Sequence, residues 1–244
     1  MIDTAAPRWV LSSDTFVVRP LVFPGGDIGS LAVHGTINDV AMSGGVPHYL
    51  SAAFVIEEGF TLSELKRVVA SMAAASRTAG VPIVTGDTKV VERGKGDGVF
   101  ITTTGVGQVP AGVKISGDRA RPGDAILLSG SIGDHGVAVM SKRENLSFET
   151  TIESDSAALH TLVAAMVDAV PGIHCLRDPT RGGLSATLNE IAAESGVGME
   201  LDETAIPVRP DVRGVCEILG TDPLYVANEG KWICAEPADE ADAA

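Results

Sequence analysis

The sequence predicts an α/β fold arranged as two domains. Its 244 residues suffice for two modest domains. Hydrophobic residues make up 45% and aromatics only 4%, which indicates a core of Val, Ile, Leu and Ala side chains. Strand-like and helix-like segments alternate on both sides of the polar stretch AGVKISGDRARPGD, which has a linker's Gly, Pro and Asp content. We therefore expect domains at residues 1–115 and 121–236, with the boundary between Pro110 and Arg121.

The first half contains a predicted series of four strands and two helices. DTFVVRPLVF predicts a strand, DIGSLAVHGTINDVAMSG a helix and HYLSAAFVIEEG a strand. TLSELKRVVASMAAASRTAG predicts a second helix, because Thr61 and Glu64 form a capping-box pattern and Gly80 is a typical helix end. VPIVTGDTKVV predicts a strand that runs into a loop, and GVFITTTGVGQV, rich in β-branched residues, predicts a further strand.

The second half repeats the alternation. AILLSG predicts a strand, GDHGVAVMSKRE a short helix, SDSAALHTLVAAMVDAV a longer helix, and IHCLRD a strand. TRGGLSATLNEIAAESG and VRGVCEILG predict helices, and LYVANEGKWICAE predicts a pair of strands. The remaining residues, 237–244 (PADEADAA), lack a packing pattern, so we expect a disordered tail there.

Charge and cysteine content exclude several classes of protein. The formal net charge of −14 would repel a phosphate backbone, so we expect neither nucleic acid nor an anionic membrane as a partner. The sequence contains no apolar run long enough to cross a bilayer and no signal-peptide pattern at its start, so we expect a cytoplasmic protein. Three widely separated cysteines form no C-x-x-C pair, which argues against a disulfide framework or a structural zinc site.

Four aspartates are candidate site residues: Asp14, Asp39, Asp87 and Asp178. Asp39 lies on the helix stripe that should face the core, where a carboxylate needs a cation or several donors. Asp87 and Asp178 follow predicted strands, at the end where α/β proteins place ligands. Taken singly, Asp14 is explained as a turn or edge residue, Asp39 as a buried hydrogen-bonded residue, and Asp87 as part of an ordinary Gly-Asp turn.

The segment RDPTRGG combines Asp178 and Arg181 with glycines, including Gly182, that open a helix. Exposed N–H groups at such a helix start favour an anion, although a tight strand-to-helix turn also explains the glycines. Lys89 could reach a phosphate, or simply be solvated, and Glu229 is a candidate ligand or base by position. Aspartates of this kind suit Mg²⁺ bound together with substrate phosphates, so the residues predict a Mg-nucleotide site. Neither a P-loop nor a G-x-G-x-x-G fingerprint is present.

Several motifs, in order, resemble the HypE family of hydrogenase maturation factors. They are SSDTFVVRPLVFPGGDIGSLAVHGTINDVAMSGG, IVTGDTKVVERG, LLSGSIGDHG, LRDPTRGGLSATLNEIA, PVRPDVRGVCEILG and ANEGK, and together they cover nearly all of the chain. The HypE family belongs to the PurM-like superfamily, which includes aminoimidazole ribonucleotide synthetase, thiamine-monophosphate kinase and selenophosphate synthetase. The resemblance implies a two-domain PurM-like (AIR synthase-like) fold, an ATP site between the domains, and a homodimer formed through the N-terminal domains.

The resemblance also implies a function. Members of the family use ATP to dehydrate a thiocarboxamide on their own C-terminal cysteine to a thiocyanate, which supplies cyanide ligands to the iron of [NiFe] hydrogenase. HypF, HypC and HypD are the expected partners. By motif, Asp14, Asp39 and Asp87 match Mg-ATP ligands, Asp178 lies in the matching turn of the second domain, and Lys89 and Glu229 match catalytic positions.

Two departures from the family leave alternatives open. Family members begin earlier, with a glycine-rich segment, and continue beyond NEGK to a terminal Pro-Arg-Ile-Cys, so the sequence predicts a chain truncated at both ends with an incomplete second domain. The first hypothesis is a carbamoyl dehydratase that lacks its catalytic terminal cysteine. The alternatives are a non-catalytic module that retains nucleotide or partner binding, and a small-molecule kinase of the same superfamily.

Overall fold

The structure, a computed structural model, describes residues 7–145 and 152–241. It has the predicted mixed α/β architecture. In chain order the first half contains β1 (Arg8–Phe16), β2 (Val22–Phe23), β3 (Gly26–Asp27), α1 (Ile28–Met42), β4 (Val46–Glu57), α2 (Leu62–Ala79), β5 (Ile83–Val91) and β6 (Val99–Val109). The second half contains β7 (Asp124–Leu128), α3 (Asp134–Arg143), α4 (His160–Ala169), β8 (Cys175–Arg177), α5 (Gly183–Ser195), α6 (Pro210–Leu219) and β9 (Ile233–Pro237).

Side chains at the ends of α1 and α2 explain where these helices begin and stop. The Asp27 carboxylate accepts hydrogen bonds from the backbone N–H groups of Gly29 at 2.7 Å and Ser30 at 3.0 Å. Thr61 accepts a bond from the N–H of Glu64 at 3.2 Å, and Gly80 ends α2 in a left-handed conformation with φ 71°. The predicted caps of α2 are therefore confirmed.

Four strands of the first half form one sheet in the order β1-β6-β4-β5, in which only β4 and β5 run parallel. Helix α1 covers one face of the sheet, and Thr103 of β6 ties the two together by donating to the Ala32 carbonyl at 2.9 Å. The opposite face carries exposed apolar side chains: Trp9, Leu11, Tyr49 and Val55. No other part of the described chain covers these four residues, which we call the open face.

The second half is built on an antiparallel sheet in the order β7-β9-β8. Helix α1 reaches this half as well, because its Ala41 and Met42 join a core that it shares with α4. The main members of that core from the second half are Leu159, Val163, Met166, Val170, Ile173, Leu176, Trp232 and Cys234. Apolar burial thus holds the two halves together through the C-terminal end of α1.

Four predicted elements differ from the structure. The strand expected over residues 14–23 is replaced by β1, which begins at Arg8 and ends at Phe16, and by the short β2 at Val22–Phe23. Strand β5 continues from Ile83 to Val91 without the loop expected at Asp87, because the β-branched residues after Asp87 keep pairing with β4. Helix α4 is no longer than α3, since the preceding residues bond to other segments; the N–H of Leu159, for example, donates to Asn38 Oδ1 at 2.8 Å. The expected strand pair is a single strand, β9, preceded by a 3₁₀ turn at Pro223–Tyr225.

The prediction of a disordered tail at residues 237–244 is wrong for its first residues. Pro237 ends β9 opposite Asp124 of β7, and residues 238–241 form a turn. Residues 242–244 lie outside the described residues. Between β6 and β7, residues 110–123 contain no helix or strand, in keeping with a linker. The exact domain limits, 1–115 and 121–236, stay a prediction.

The described residues include no helix that combines the length and the apolarity needed to cross a membrane.

Two glycines in helices should respond oppositely to alanine. A Cβ at Gly29 of α1 would overlap the Val68 carbonyl of α2, whereas nothing lies within 4 Å of a Cβ at Gly214 of α6. We expect Gly29→Ala to lower the free energy of unfolding by about 1–3 kcal/mol through overpacking. Gly214→Ala should raise it by about 0.5–1 kcal/mol through helix propensity. Urea unfolding of both variants checks the pair, and equal stability of Gly29→Ala and the parent chain would contradict the close packing.

Candidate functional site

A cavity of about 670 Å³ lies between the two halves of the chain, at the edge of the first sheet. It is lined by Leu11–Asp14 of β1, by the C-terminal end of α1, by linker residues 115–117, and by the segment that joins β8 to α5. Among the described strands, β1 has no neighbour on its outer side, so this edge of the sheet is open to the cavity. Most of the residues that line the cavity are polar. The cavity is large enough for a small-molecule ligand.

Three of the four predicted aspartates, Asp14, Asp39 and Asp178, meet in this cavity. Burial raises the pKa of Asp39, although Ser12 Oγ donates to its Oδ2 at 2.6 Å, and the charge of Asp14 raises it further. Burial, followed by the charge of Asp39, raises the pKa of Asp178 to about 7. The cluster therefore carries more negative charge than its surroundings compensate, which favours a bound cation.

Arg181 also lines the cavity, and its charge lowers the pKa of Asp39 slightly against the dominant effect of burial. Gly182 does not line it. Gly182 has φ 72° and Gly183 has φ 62°, and a Cβ at Gly183 would lie 2.6 Å from the Val226 carbonyl oxygen. A tight turn and close backbone packing thus explain both glycines, so the expected contact between Gly182 and an anion is not supported by its position.

Glu229 lies next to this cluster, on the segment between α6 and β9. A Cβ placed on Gly35 of α1 would be 3.8 Å from Glu229 Oε2, so the carboxyl group lies against the face of α1. Burial raises the pKa of Glu229 well above its usual value, and the nearby charges of Asp178 and Asp155 raise it further. A carboxylate with a raised pKa is a stronger base than an ordinary one, which suits a proton acceptor.

Asp87 and Lys89 lie outside the cavity. They form an exposed ion pair on β5, with Lys89 Nζ 2.7 Å from Asp87 Oδ2. Two strands separate β5 from β1, a distance of about 14 Å at the usual strand spacing. Asp87 instead lines a groove of about 730 Å³ between β5 and α2. Within one chain the sheet therefore holds Asp87 apart from Asp14 and Asp39, and the joint assignment of all three to Mg-ATP stays a prediction.

No group of three His, Cys, Asp or Glu side chains in residues 7–145 and 152–241 is arranged to hold a metal ion by itself. The three cysteines, Cys175, Cys216 and Cys234, are all buried and unpaired. Burial and the neighbouring Glu236 strongly raise the pKa of Cys234, which makes it a poor nucleophile.

Two residues with direct contacts to Glu229 were not predicted from the sequence. Asp155 Oδ1 accepts a bond from the Glu229 N–H at 3.0 Å, and Asn38 Nδ2 donates to the Glu229 carbonyl at 3.2 Å. A sequence signal existed for Asn38, which precedes Asp39 on a helix with few exposed positions. For Asp155 the signal was the polar start of the predicted helix SDSAALHTLVAAMVDAV, because Ser and Asp favour caps and turns over helix interiors.

Sequence profiles of two domains match the chain. The profile described as AIR synthase related protein, N-terminal domain, matches residues 2–109, and the one described as AIR synthase related protein, C-terminal domain, matches residues 121–244. The second match includes residues 237–244, which we expected to be a separate tail.

Several known proteins are similar to almost the whole chain. The hydrogenase expression/formation protein HupE of Azotobacter chroococcum is 71% identical, covering 96% of this chain and 69% of that protein. The carbamoyl dehydratase HypE of Cupriavidus necator is 69% identical, with 98% and 68% covered, and that of Escherichia coli is 49% identical, with 96% and 70% covered.

Solved structures agree with these relatives. A crystal structure of the hydrogenase maturation protein HypE in complex with ATP has a TM-score of 0.95 and 57% identity, covering 97% of this chain and 70% of that one. A HypE–HypF complex gives 0.94 and 51%, with 96% and 77% covered. A thiamine monophosphate kinase from Aquifex aeolicus, at 19% identity and a TM-score of 0.72, shares the fold.

The raised pKa of Asp178 predicts how stability changes with pH. The folded chain keeps this proton until about pH 7, whereas the ordinary value is 3.8. The free energy of unfolding therefore falls as pH rises through this window, by up to about 4 kcal/mol from this group. Asp178→Asn cannot ionise, so we expect its stability to fall less over the same window. Urea unfolding at about pH 4 and about pH 8 measures the difference.

Asp168→Asn, on the exposed surface of α4, serves as the control for this measurement. It should keep the pH dependence of the parent chain. An unchanged pH dependence in Asp178→Asn would contradict the electrostatic description of the cavity.

Proposed function

This chain belongs to the HypE family of AIR synthase related proteins, and from that membership we propose that it acts in [NiFe] hydrogenase maturation as an ATP-dependent carbamoyl dehydratase. The observation that carries the proposal is the acidic cavity between its two halves, where Asp14, Asp39 and Asp178 meet beside Glu229. The relative solved with ATP supports nucleotide as the ligand of this cavity.

The proposed reaction removes water from a thiocarboxamide, R–S–C(=O)–NH₂. Its oxygen is a poor leaving group, so the γ-phosphoryl group of ATP is first transferred to it, giving ADP and a phosphorylated imidate after loss of one N–H proton. Loss of the second N–H proton and of phosphate then gives the thiocyanate, R–S–C≡N. The cavity must therefore hold ATP, accept protons and offset charge on the transferring phosphoryl group.

The residues present fit a magnesium nucleotide. Asp14, Asp39 and Asp178 offer the hard oxygen ligands that Mg²⁺ prefers, and their uncompensated charge favours a cation. When bound, Mg²⁺ would offset charge on the phosphates. Arg181, at the cavity wall, is placed to pair with an anionic phosphate.

Glu229 is the proposed proton acceptor. Its carboxyl group has a raised pKa, so in its ionised form it is a base that can take a proton from the thiocarboxamide nitrogen. Lys89 is the proposed partner of the transferring phosphoryl group, as a mobile point charge. Since all three cysteines are buried, we assign the carrier thiol to none of them; the thiol enters the cavity with the substrate group.

We propose that a second copy of the chain brings Asp87 and Lys89 to the cavity. The open face offers apolar side chains, including Trp9 at 56% and Leu11 at 70% exposure, to a second open face. The outer edges of β1 and β5 are unpaired among the described strands. A twofold dimer that packs the open faces together can set β5 of one copy beside β1 of the other.

The sheet register favours this arrangement. Asp14 pairs with Thr103, Thr103 with Ala52, and Ala52 with Gly86, the neighbour of Asp87. Asp14 and Asp87 therefore lie on almost the same row at opposite edges of the sheet. If the edges meet across the dimer, Asp87 of the second copy approaches the cavity that Asp14 lines.

The partners proposed for the chain follow from the reaction. A HypF-type protein would supply the carbamoyl group, as the relative solved as a HypE–HypF complex suggests. HypC- and HypD-type proteins would receive the cyanide for the iron. These three partners and the homodimer are parts of the same proposal.

Replacing an aspartate of the proposed site should weaken nucleotide binding. We expect Asp39→Asn and Asp87→Asn each to weaken Mg-ATP binding by at least about tenfold, because each removes a carboxylate from the shared site. Isothermal titration calorimetry measures the affinity. Asp168→Asn is the control of equal chemistry on the exposed surface, and it should bind as the parent chain does. Unchanged affinity in both variants would overturn the assignment of the site.

Mixing the two variants tests whether the site is shared between copies. In a dimer with one Asp39→Asn chain and one Asp87→Asn chain, a shared site leaves one cavity with both aspartates intact. We therefore expect the mixed dimer, purified with two different tags after co-expression, to bind Mg-ATP at half of the sites. If both aspartates act within one chain, neither cavity is intact and the mixed dimer will not bind.

A further inference from the structure

The backbone of Glu229 is held on both sides by side chains from separate parts of the chain. Its N–H donates to Asp155 Oδ1 at 3.0 Å, and its carbonyl accepts a bond from Asn38 Nδ2 at 3.2 Å. Asn38 lies on α1 in the first half, and Asp155 lies in the segment before α4 in the second. The bond from Asn38 to Glu229 therefore crosses the boundary between the halves, and the bond to Asp155 lies within the second half.

The Asn38 side chain uses its whole amide for this purpose. It is only 1% exposed. Besides its bond to Glu229, Nδ2 donates to the Ala157 carbonyl at 2.9 Å, and Oδ1 accepts from the Leu159 N–H at 2.8 Å. One buried amide on α1 thus joins two segments of the second half, and its loss would leave three backbone groups without their partner.

The Asp155 side chain is also buried. It is 5% exposed, and its second oxygen, Oδ2, lies 3.3 Å from Lys231 Nζ. A Cβ at Gly230 would overlap the Asp155 carbonyl, so the residue that follows Glu229 packs directly on the backbone of Asp155. Asp155 therefore contacts the Glu229 segment at Glu229, Gly230 and Lys231 in succession.

These contacts are not needed to fill a core. Large apolar clusters already join α1 to the rest of the chain on both sides of the boundary. A buried polar network of this kind instead specifies one arrangement, because any other arrangement leaves donors and acceptors unpaired. Here the residue whose place it specifies is Glu229, which stands against α1 one turn before Asp39.

We infer that Asn38 and Asp155 are positioning residues, which fix Glu229 relative to Asp39 and Asp14 through its two backbone bonds. The inference rests on the proposed function for the meaning of that position, because Glu229 is the proton acceptor of the proposed reaction. The positioning itself does not depend on nucleotide. Asn38 and Asp155 act through Glu229, because each bonds to its backbone.

Pairs of variants separate the hydrogen bond from the charge. Asp155→Asn keeps an oxygen that can accept from the Glu229 N–H, whereas Asp155→Ala removes it. Asn38→Ala removes the whole amide, and Asn189→Ala is its control, because the Asn189 side chain is exposed and donates only to the Ser185 carbonyl within α5. Each variant is made in the full chain.

Hydrogen exchange followed by mass spectrometry reports the position of the segment. We expect exchange in residues 226–232 to be about tenfold faster in Asp155→Ala and Asn38→Ala, the value for about one lost hydrogen bond. It should stay near the parent rate in Asp155→Asn and Asn189→Ala. Exchange in α2, residues 62–79, should be unchanged in all four variants. Crystal structures of the two Asp155 variants should show the Glu229 carboxyl group displaced in Asp155→Ala only.

Two outcomes would overturn the inference. The first is equal exchange in residues 226–232 for Asp155→Ala and Asp155→Asn, which would mean that the backbone bond does not hold Glu229. The second is faster exchange in α2 as well, which would mean that Asn38 and Asp155 stabilise the whole chain and do not position Glu229 in particular. Calorimetry with Mg-ATP on the parent chain is separate: its failure would overturn the proposed function and leave the exchange result valid.

Discussion

Repulsion among carboxylates in a half-buried cavity is the constraint that organises this molecule. Asp14, Asp39, Asp178 and Glu229 come from four separate segments, and burial disfavours the ionised forms of Asp39, Asp178 and Glu229. A chain selected only for stability would pair them with cations or replace them. The arrangement is consistent with a site that waits for a cation and a phosphate ligand, whose binding compensates the charge that the fold leaves uncompensated.

Helix α1 holds this unfavourable group together. Its first residues pack on α2, its middle covers the sheet, and Ala41 and Met42 enter the core of the second half. The same helix presents Asp39 to the cavity, Gly35 to the Glu229 carboxyl group and Asn38 to the Glu229 backbone. Apolar burial along one helix thus compensates for charge placed along the same helix, and the position of the site depends on the joint between the two halves.

The sequence predicted what depends on local patterns and failed where pairing partners decide. The caps of α2 were predictable because Thr61, Glu64 and Gly80 act within one turn of their own positions. The sequence singled out Asp14, Asp39 and Asp178 by residue type and motif order, and the structure brings them into one cavity; that they bind a nucleotide stays a proposal. The course of β5 was not, because pairing with β4 outweighs the turn preference of Gly-Asp. The bonds of Asn38 and Asp155 join residues 74 to 191 positions apart, and no local pattern specifies them.

The distance between Asp87 and the cavity carries the strongest argument about assembly. Asp87, predicted as a Mg-ATP ligand, and Lys89, predicted as catalytic, lie at the far edge of the sheet, about 14 Å from β1 by strand spacing. Movement within the chain cannot bring them closer, because β6 and β4 pair along their whole length between them. Either these residues serve another purpose in this chain, or a second chain uses them. The open face and the two unpaired edges favour the second explanation, since one twofold axis would cover the apolar side chains, pair the edges and complete the site.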